Sequence, residues 1–190
     1  MRGNGTAFVP TTATYPATAG TSGNVLTSDG TNFTSAATSA FTPVNWLVTL
    51  SAAQNNVTGN NTDYTIPYNT VVFDSNSAYN TGTYVYTVPV TGKYQIIIND
   101  NLKGGSAAST LFLSWLNVNG GGFGPNRIIS VNPSDSLSVS GNYTRSSTVL
   151  ISLNSGDTVS YIINCRNSGS NDIGVEGGSY TASFAGFRIA

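Results

Sequence analysis

The side chains of this chain that can move protons, attack a substrate or hold a metal are few: seven aspartates, the single Glu176, the single Cys165 and no histidine. Without histidine, no Ser-His-Asp triad, no Cys-His pair and no imidazole metal site can be assembled. A pair of carboxylates roughly 5 to 10 Å apart would suffice for glycoside hydrolysis. Asp74, Asp100 and Asp157, however, each sit beside turn residues, where aspartate ordinarily satisfies backbone donors. The chain is therefore read as a non-enzyme with no catalytic residues. Cys165, followed by Arg166, reads either as a thiol of lowered pKa or as a small apolar core filler. Calcium is the one cofactor left open, because hard oxygen ligands from loops suit it. Its candidate ligands are Asn99, Asp100 and Asn101, or Asn171 and Asp172, with no EF-hand spacing among them.

Recognition is better supplied than catalysis. The glycine-rich stretch 120–127 carries Phe123, Asn126 and Arg127, and the polar stretch 167–178 carries Asn171, Asp172 and Glu176. A ring, amides and carboxylates on loops held by a rigid scaffold suit sugars, through stacking and hydrogen bonds, so these six are the candidate ligand-binding residues. Seven basic against eight acidic side chains give a net charge of −1 with no Lys/Arg cluster. Neither the phosphate backbone of nucleic acid nor an anionic membrane finds its electrostatic footprint here. The longest apolar runs, such as Ile96 to Ile98 and Val149 to Ile151, fall far below the roughly 18 residues of a membrane-spanning helix. No hydrophobic signal-peptide core follows Met1-Arg2-Gly3, so export by another route or a piece of a longer protein is expected.

The elements that must position these residues are strands. Thr, Val, Ile and Tyr fit a pleated surface, Gly, Asn and Ser supply turns, and only 8% of residues are charged. Such surfaces are common on secreted, virion and cell-surface proteins, so an extracellular location is expected. A boundary falls near residue 40. Residues 1–40 hold two charges, Arg2 and Asp29, and too few large apolar side chains to offset chain entropy, so they read as a linker, stalk or collar. Residues 41–190 alternate apolar and polar in short runs between Gly/Asn/Ser/Pro turns. Strands are expected near 44–51, 63–68, 70–73, 83–88, 92–102, 110–118, 126–131, 143–153, 157–164 and 178–189. Ten short strands without a helical pattern argue for an all-β antiparallel sandwich or jelly roll.

Two of these runs are apolar on both faces. In Lys93 to Asn99, Tyr94, Ile96 and Ile98 share one face and Ile97 the other, and Leu111 to Leu116 likewise carries apolar residues on both faces. A two-layer sandwich covers one face of each sheet, so a second subunit is the simplest cover for the other. Ile97, Phe112, Trp115 and Leu116 are accordingly expected at a subunit interface.

The order of landmarks from Val71-Val72-Phe73-Asp74 through Tyr79, Thr81-Gly82 and Tyr84 to Val88-Pro89-Val90-Thr91-Gly92-Lys93-Tyr94 resembles the C1q/TNF-like family. Leu153-Asn154-Ser155-Gly156-Asp157-Thr158-Val159 and Phe184-Ala185-Gly186-Phe187 continue it, so the resemblance spans residues 71–187. It implies a ten-stranded jelly roll forming a compact homotrimer with its N-termini gathered toward a stalk, and some such heads bind calcium. No Gly-X-Y collagen repeat is present. Instead, Ala19-Gly20-Thr21-Ser22-Gly23-Asn24-Val25-Leu26-Thr27-Ser28-Asp29-Gly30-Thr31-Asn32-Phe33 resembles segments that precede the tips of phage, large-virus and bacterial fibres, where they wrap around identical copies. Together the two resemblances imply a homotrimeric fibre-tip head on a virion or bacterial surface that attaches to a glycan or protein receptor of a host or prey cell. The alternative they leave is a purely structural cap that trimerises a fibre without a receptor of its own.

Overall fold

The computed structural model describes residues 2–3, 8–9, 14, 24–28, 30–37, 41–104, 111–121, 128–133, 142–166, 172–178 and 182–189. The chain divides into two compact units, Met1–Phe41 and Thr42–Ala190. Among the described residues every regular element is a strand, and no helix is long and apolar enough to cross a membrane.

In the first unit, β1 (Arg2–Gly3) pairs antiparallel with β2 (Phe8–Val9), and β3 (Asn24–Ser28) with β4 (Phe33–Ala37). The sequence reading placed no strand here. The β3–β4 hairpin forms because Gly30 adopts φ +94, and its N–H is accepted by the Ser28 hydroxyl. Val25 and Leu26 stay exposed, and an isolated two-stranded hairpin is marginal in water.

The second unit is a sandwich of two antiparallel sheets. Its strands are β5 (Asn45–Thr49), β6 (Gln54–Thr58), β7 (Thr62–Thr65), β8 (Thr70–Asp74), β9 (Tyr79–Asn80), β10 (Val85–Thr87), β11 (Gly92–Lys103), β12 (Leu111–Val118), β13 (Ile128–Pro133), β14 (Asn142–Leu153), β15 (Thr158–Arg166), β16 (Ile173–Val175) and β17 (Ser183–Arg188). Seven strands form one sheet in the order β6-β16-β11-β17-β5-β8, with β14 on β11. Six form the other in the order β13-β12-β15-β10-β9, with β7 on β15. Each of the ten expected runs overlaps one of these strands. β6 was not expected, nor were β9 and β16, which are only two and three residues long, and β16 falls in the stretch read as a polar loop.

Alternation along the long strands builds the core. Tyr94, Ile96 and Ile98 of β11, Trp46 and Val48 of β5, and Phe184 of β17 meet Tyr86 of β10, Phe112 and Leu116 of β12, and Val159, Tyr161 and Ile163 of β15. Cys165 lies in the same core as an apolar filler. The Trp46 indole lies parallel to the Tyr86 ring at 3.8 Å and meets Phe184 edge-on at 5.7 Å, joining the two sheets. Gly186 pairs with Trp46 across β17 and β5, and a methyl group there would sit 2.1 Å from the indole. The close approach at this glycine is thus made by a tryptophan of its own chain. Gly186→Ala must displace a fully buried ring, and a loss of about 1–3 kcal/mol is expected. A urea midpoint equal to that of the parent chain would show that the indole has room to move.

The turn between β14 and β15 shows how the polar residues hold the frame. Gly156 adopts φ +91, and the Asp157 carboxylate accepts from the Asn154 N–H at 2.7 Å and the Asn119 amide at 2.8 Å. The Asn119 amide, then the Asn154 N–H, hold this carboxyl below its ordinary value. Asp74 likewise accepts from the N–H groups of Asn76, Ala78 and Tyr79.

Candidate functional site

Three arrangements stand out, one between the sheets and one on the outer face of each. Between them, Asp100 of β11 and Arg145 of β14 oppose each other in register with their side chains turned inward. The Arg145 guanidinium clamps the carboxylate through two nitrogens, Nε to Oδ1 at 2.8 Å and Nη2 to Oδ2. From the other sheet, the Tyr161 hydroxyl donates to Asp100 Oδ2 at 2.6 Å, and the Phe112 ring lies 4.3 Å below the guanidinium carbon. Burial opposes the charge on Arg145, but the Tyr161 oxygen and the Asp100 carboxylate outweigh it, and its pKa is raised. Burial pushes Tyr161 upward too, with Asp100 adding to the effect. Arg145 and Tyr161 keep their protons near neutrality and the whole cluster is shielded from solvent, so it is a staple between sheets.

Asp100 was expected at a turn, as a backbone partner or a calcium ligand, and the structure corrects both readings. It lies inside a long strand and is committed to Arg145, while the Asn99 side chain faces away and donates to the Ser183 hydroxyl at 3.0 Å. Asn99, Asp100 and Asn101 therefore do not converge. Among the described residues no group of three carboxylate, cysteine or histidine side chains could hold a metal ion.

Tyr68, Tyr79 and Tyr86 share the upward push of burial with Tyr161. A folded-state pKa above the unfolded value near 10 means the fold binds these protons more tightly. Their stabilisation is fully present below pH about 10 and is lost as the pH rises beyond it. In an alkaline titration followed by tyrosinate absorbance, these four are expected to ionise only together with loss of the folded circular-dichroism signal. Ionisation of all the tyrosines near pH 10 with the fold intact would contradict this.

The outer face of the seven-stranded sheet is apolar and uncharged over its centre. Register sets Phe73, Leu47, Ala185, Ile97 and Thr148 in one row across β8, β5, β17, β11 and β14, with Asn45, Phe187, Gln95 and Leu150 in the next. Leu150 is 69% exposed, Phe73 48% and Phe187 37%. Along β11 this face carries no charge between Lys93 and Lys103.

Of the expected interface residues, only Ile97 lies on this face. Phe112 and Leu116 are fully buried in the core, and Trp115, on the outer side of the six-stranded sheet, is 2% exposed in a cluster with Leu113 and Ile162. β12 is apolar on both faces because one chain covers both, which leaves these three no surface for a partner. Phe187 and Leu150 were missed; their signal was a single apolar residue recurring on the polar side of an alternating run.

Of the expected ligand residues, Phe123, Asn126, Arg127 and Asn171 lie outside the described residues. Asp172 and Glu176 flank β16, and the Glu176 carboxylate is paired with Lys103 Nζ at 2.8 Å. The outer face of the six-stranded sheet instead holds two recesses that sequence reasoning did not find. One of about 410 Å³ is lined by Asn61, Asp63, Leu113, Trp115, Asn164 and Arg166. The other, of about 450 Å³, is lined by hydroxyls and amides that include Thr87, Asn117, Thr158 and Ser160.

The arrangement of these sheets has counterparts among solved structures. Murine APRIL at pH 5.0 superposes with a TM-score of 0.52 at 9% identity, covering 78% of this chain and 100% of that one. Murine APRIL at pH 8.0 does so at 0.51, with the same identity and coverage. The second unit has the C1q/TNF-like jelly-roll fold. The globular domain of zebrafish complement 1qA is 16% identical over 77% of this chain and 98% of that one, with a TM-score of 0.48. At these identities the jelly-roll likeness is one of fold alone. No protein-family model matches the chain, and no curated protein matches its sequence.

Proposed function

We propose that this chain is a non-enzymatic homotrimeric head at the tip of a viral or bacterial surface fibre, which attaches to a host or prey cell surface. The observation that carries the reading is the uncharged apolar face of the seven-stranded sheet, with Phe73, Leu150 and Phe187 left open to water in a single chain. Contiguous exposed apolar surface marks an association site, and closed rotational symmetry is the usual way copies of one chain bury such a surface. The fibre-like Gly/Val/Leu/Ser pattern of residues 19–33 supports a stalk ahead of the head, since a hairpin with Val25 and Leu26 exposed gains stability from neighbours. Three identical heads on one stalk turn weak individual contacts into avidity.

Light scattering coupled to size exclusion tests the assembly: a molar mass of about 59 kDa, three times the 19.7 kDa chain, is expected. Retention of the labelled chain on host or prey cells tests the attachment. A monomer in dilute solution overturns the trimeric head. A trimer that adheres to no cell leaves a structural cap, which closes a fibre without a receptor of its own.

A further inference from the structure

We propose that the recess between β7, β12 and β15 on the outer face of the six-stranded sheet binds one saccharide ring. Register brings its parts together. Asp63, Asn164 and Leu113 are neighbours across β7, β15 and β12, Trp115 lies two residues along β12, and Arg166 ends β15. At about 410 Å³ the recess falls within the range of small-molecule sites.

Its lining is unusual for the outside of a sheet. Asn164 is only 3% exposed; its amide nitrogen donates to Asp63 Oδ1 at 2.6 Å, and its Oδ1 has no partner among the described residues. A buried acceptor left without a donor is costly, so its place beside a recess calls for a ligand that brings a hydrogen. Arg166 forms no ion pair among the described residues. One carboxylate and one guanidinium make the lining neutral overall, which disfavours a strongly ionic ligand. Neighbouring hydroxyls of a sugar ring suit it, because each hydroxyl both donates and accepts. They can donate to Asp63 and to Asn164 Oδ1 while accepting from Arg166. Leu113 and Trp115, 3% and 2% exposed, lie beneath these polar groups, so the Trp115 indole reports on a ring bound above it. The recess lies on the sheet opposite the proposed assembly face.

This inference rests on the reading of the chain as a surface-binding head and names its ligand class. The test uses the whole chain, labelled with nitrogen-15 and titrated with glucose, galactose and N-acetylglucosamine to about 50 mM, ample for a millimolar single-site affinity. The two tryptophans give two indole N–H signals. The Trp115 signal and the Asn164 side-chain amide are expected to shift saturably with at least one sugar, while Trp46, sealed in the core, stays in place. Asp63→Ala, at an exposed position, should weaken that binding at least about tenfold with the rest of the spectrum retained. No shift at Trp115, or shifts equal in Asp63→Ala, overturns the site. If that happens while the chain is trimeric and adheres to cells, the head reading survives. Saturable shifts in a monomer that adheres to nothing would sustain the site and sink the head.

Discussion

Asp100→Asn is expected to lower the unfolding free energy by about 3–5 kcal/mol, the loss typical when one partner of a buried ion pair is removed. The Arg145 guanidinium would remain 8% exposed with its charge unmatched, and its Nη1 already lacks a partner among the described residues. The Phe112 ring offsets only part of this, since a cation over an aromatic face contributes about 2 kcal/mol even when desolvated. Replacing both partners, as Asp100→Leu with Arg145→Met, should recover most of the loss, because well-packed apolar groups avoid burying charge. Urea titrations at one fixed protein concentration make the comparison, as association couples stability to concentration. An Asp100→Asn midpoint indistinguishable from the parent would show that the pair does not hold the sheets together.

Phe187→Asp is expected to turn the proposed trimer into a monomer while leaving the jelly roll folded. Phe187 projects from β17 away from the core, in register between Asn45 and Gln95 on the uncharged face. Burying a carboxylate there without a cation costs several kcal/mol. The association constant should therefore fall by about a thousandfold or more. Light scattering reads the mass, and circular dichroism checks that the strands remain. Phe112→Ala makes the contrast: as a fully buried core residue it should cost about 3–5 kcal/mol in stability rather than dissociate a folded assembly. A Phe187→Asp chain that still runs at three times its own mass would move the assembly surface elsewhere.

Much of the sandwich was legible because its long strands alternate cleanly. Tyr94, Ile96 and Ile98 are inward as their spacing requires, and Gly156-Asp157 turns the chain as expected. β6 escaped notice because Gln54-Asn55-Asn56 reads as a turn by local propensity and becomes a strand through pairing with β16. Asp100 falls in an expected strand, but its carboxylate was misread because Asn-Asp-Asn resembles a turn, and only an arginine 45 residues away makes it a core residue.

The sequence alone determined an all-β chain and which residues share a face of each strand. Tertiary structure decided which of two faces another element covers. Period-two alternation separates the faces of a strand but carries no information on what packs against either. That is why Trp115 is sealed within its own chain while Phe187 is left open. The Asp63–Asn164 pair, 101 residues apart in the chain, likewise exists only because sheet topology sets β7 against β15.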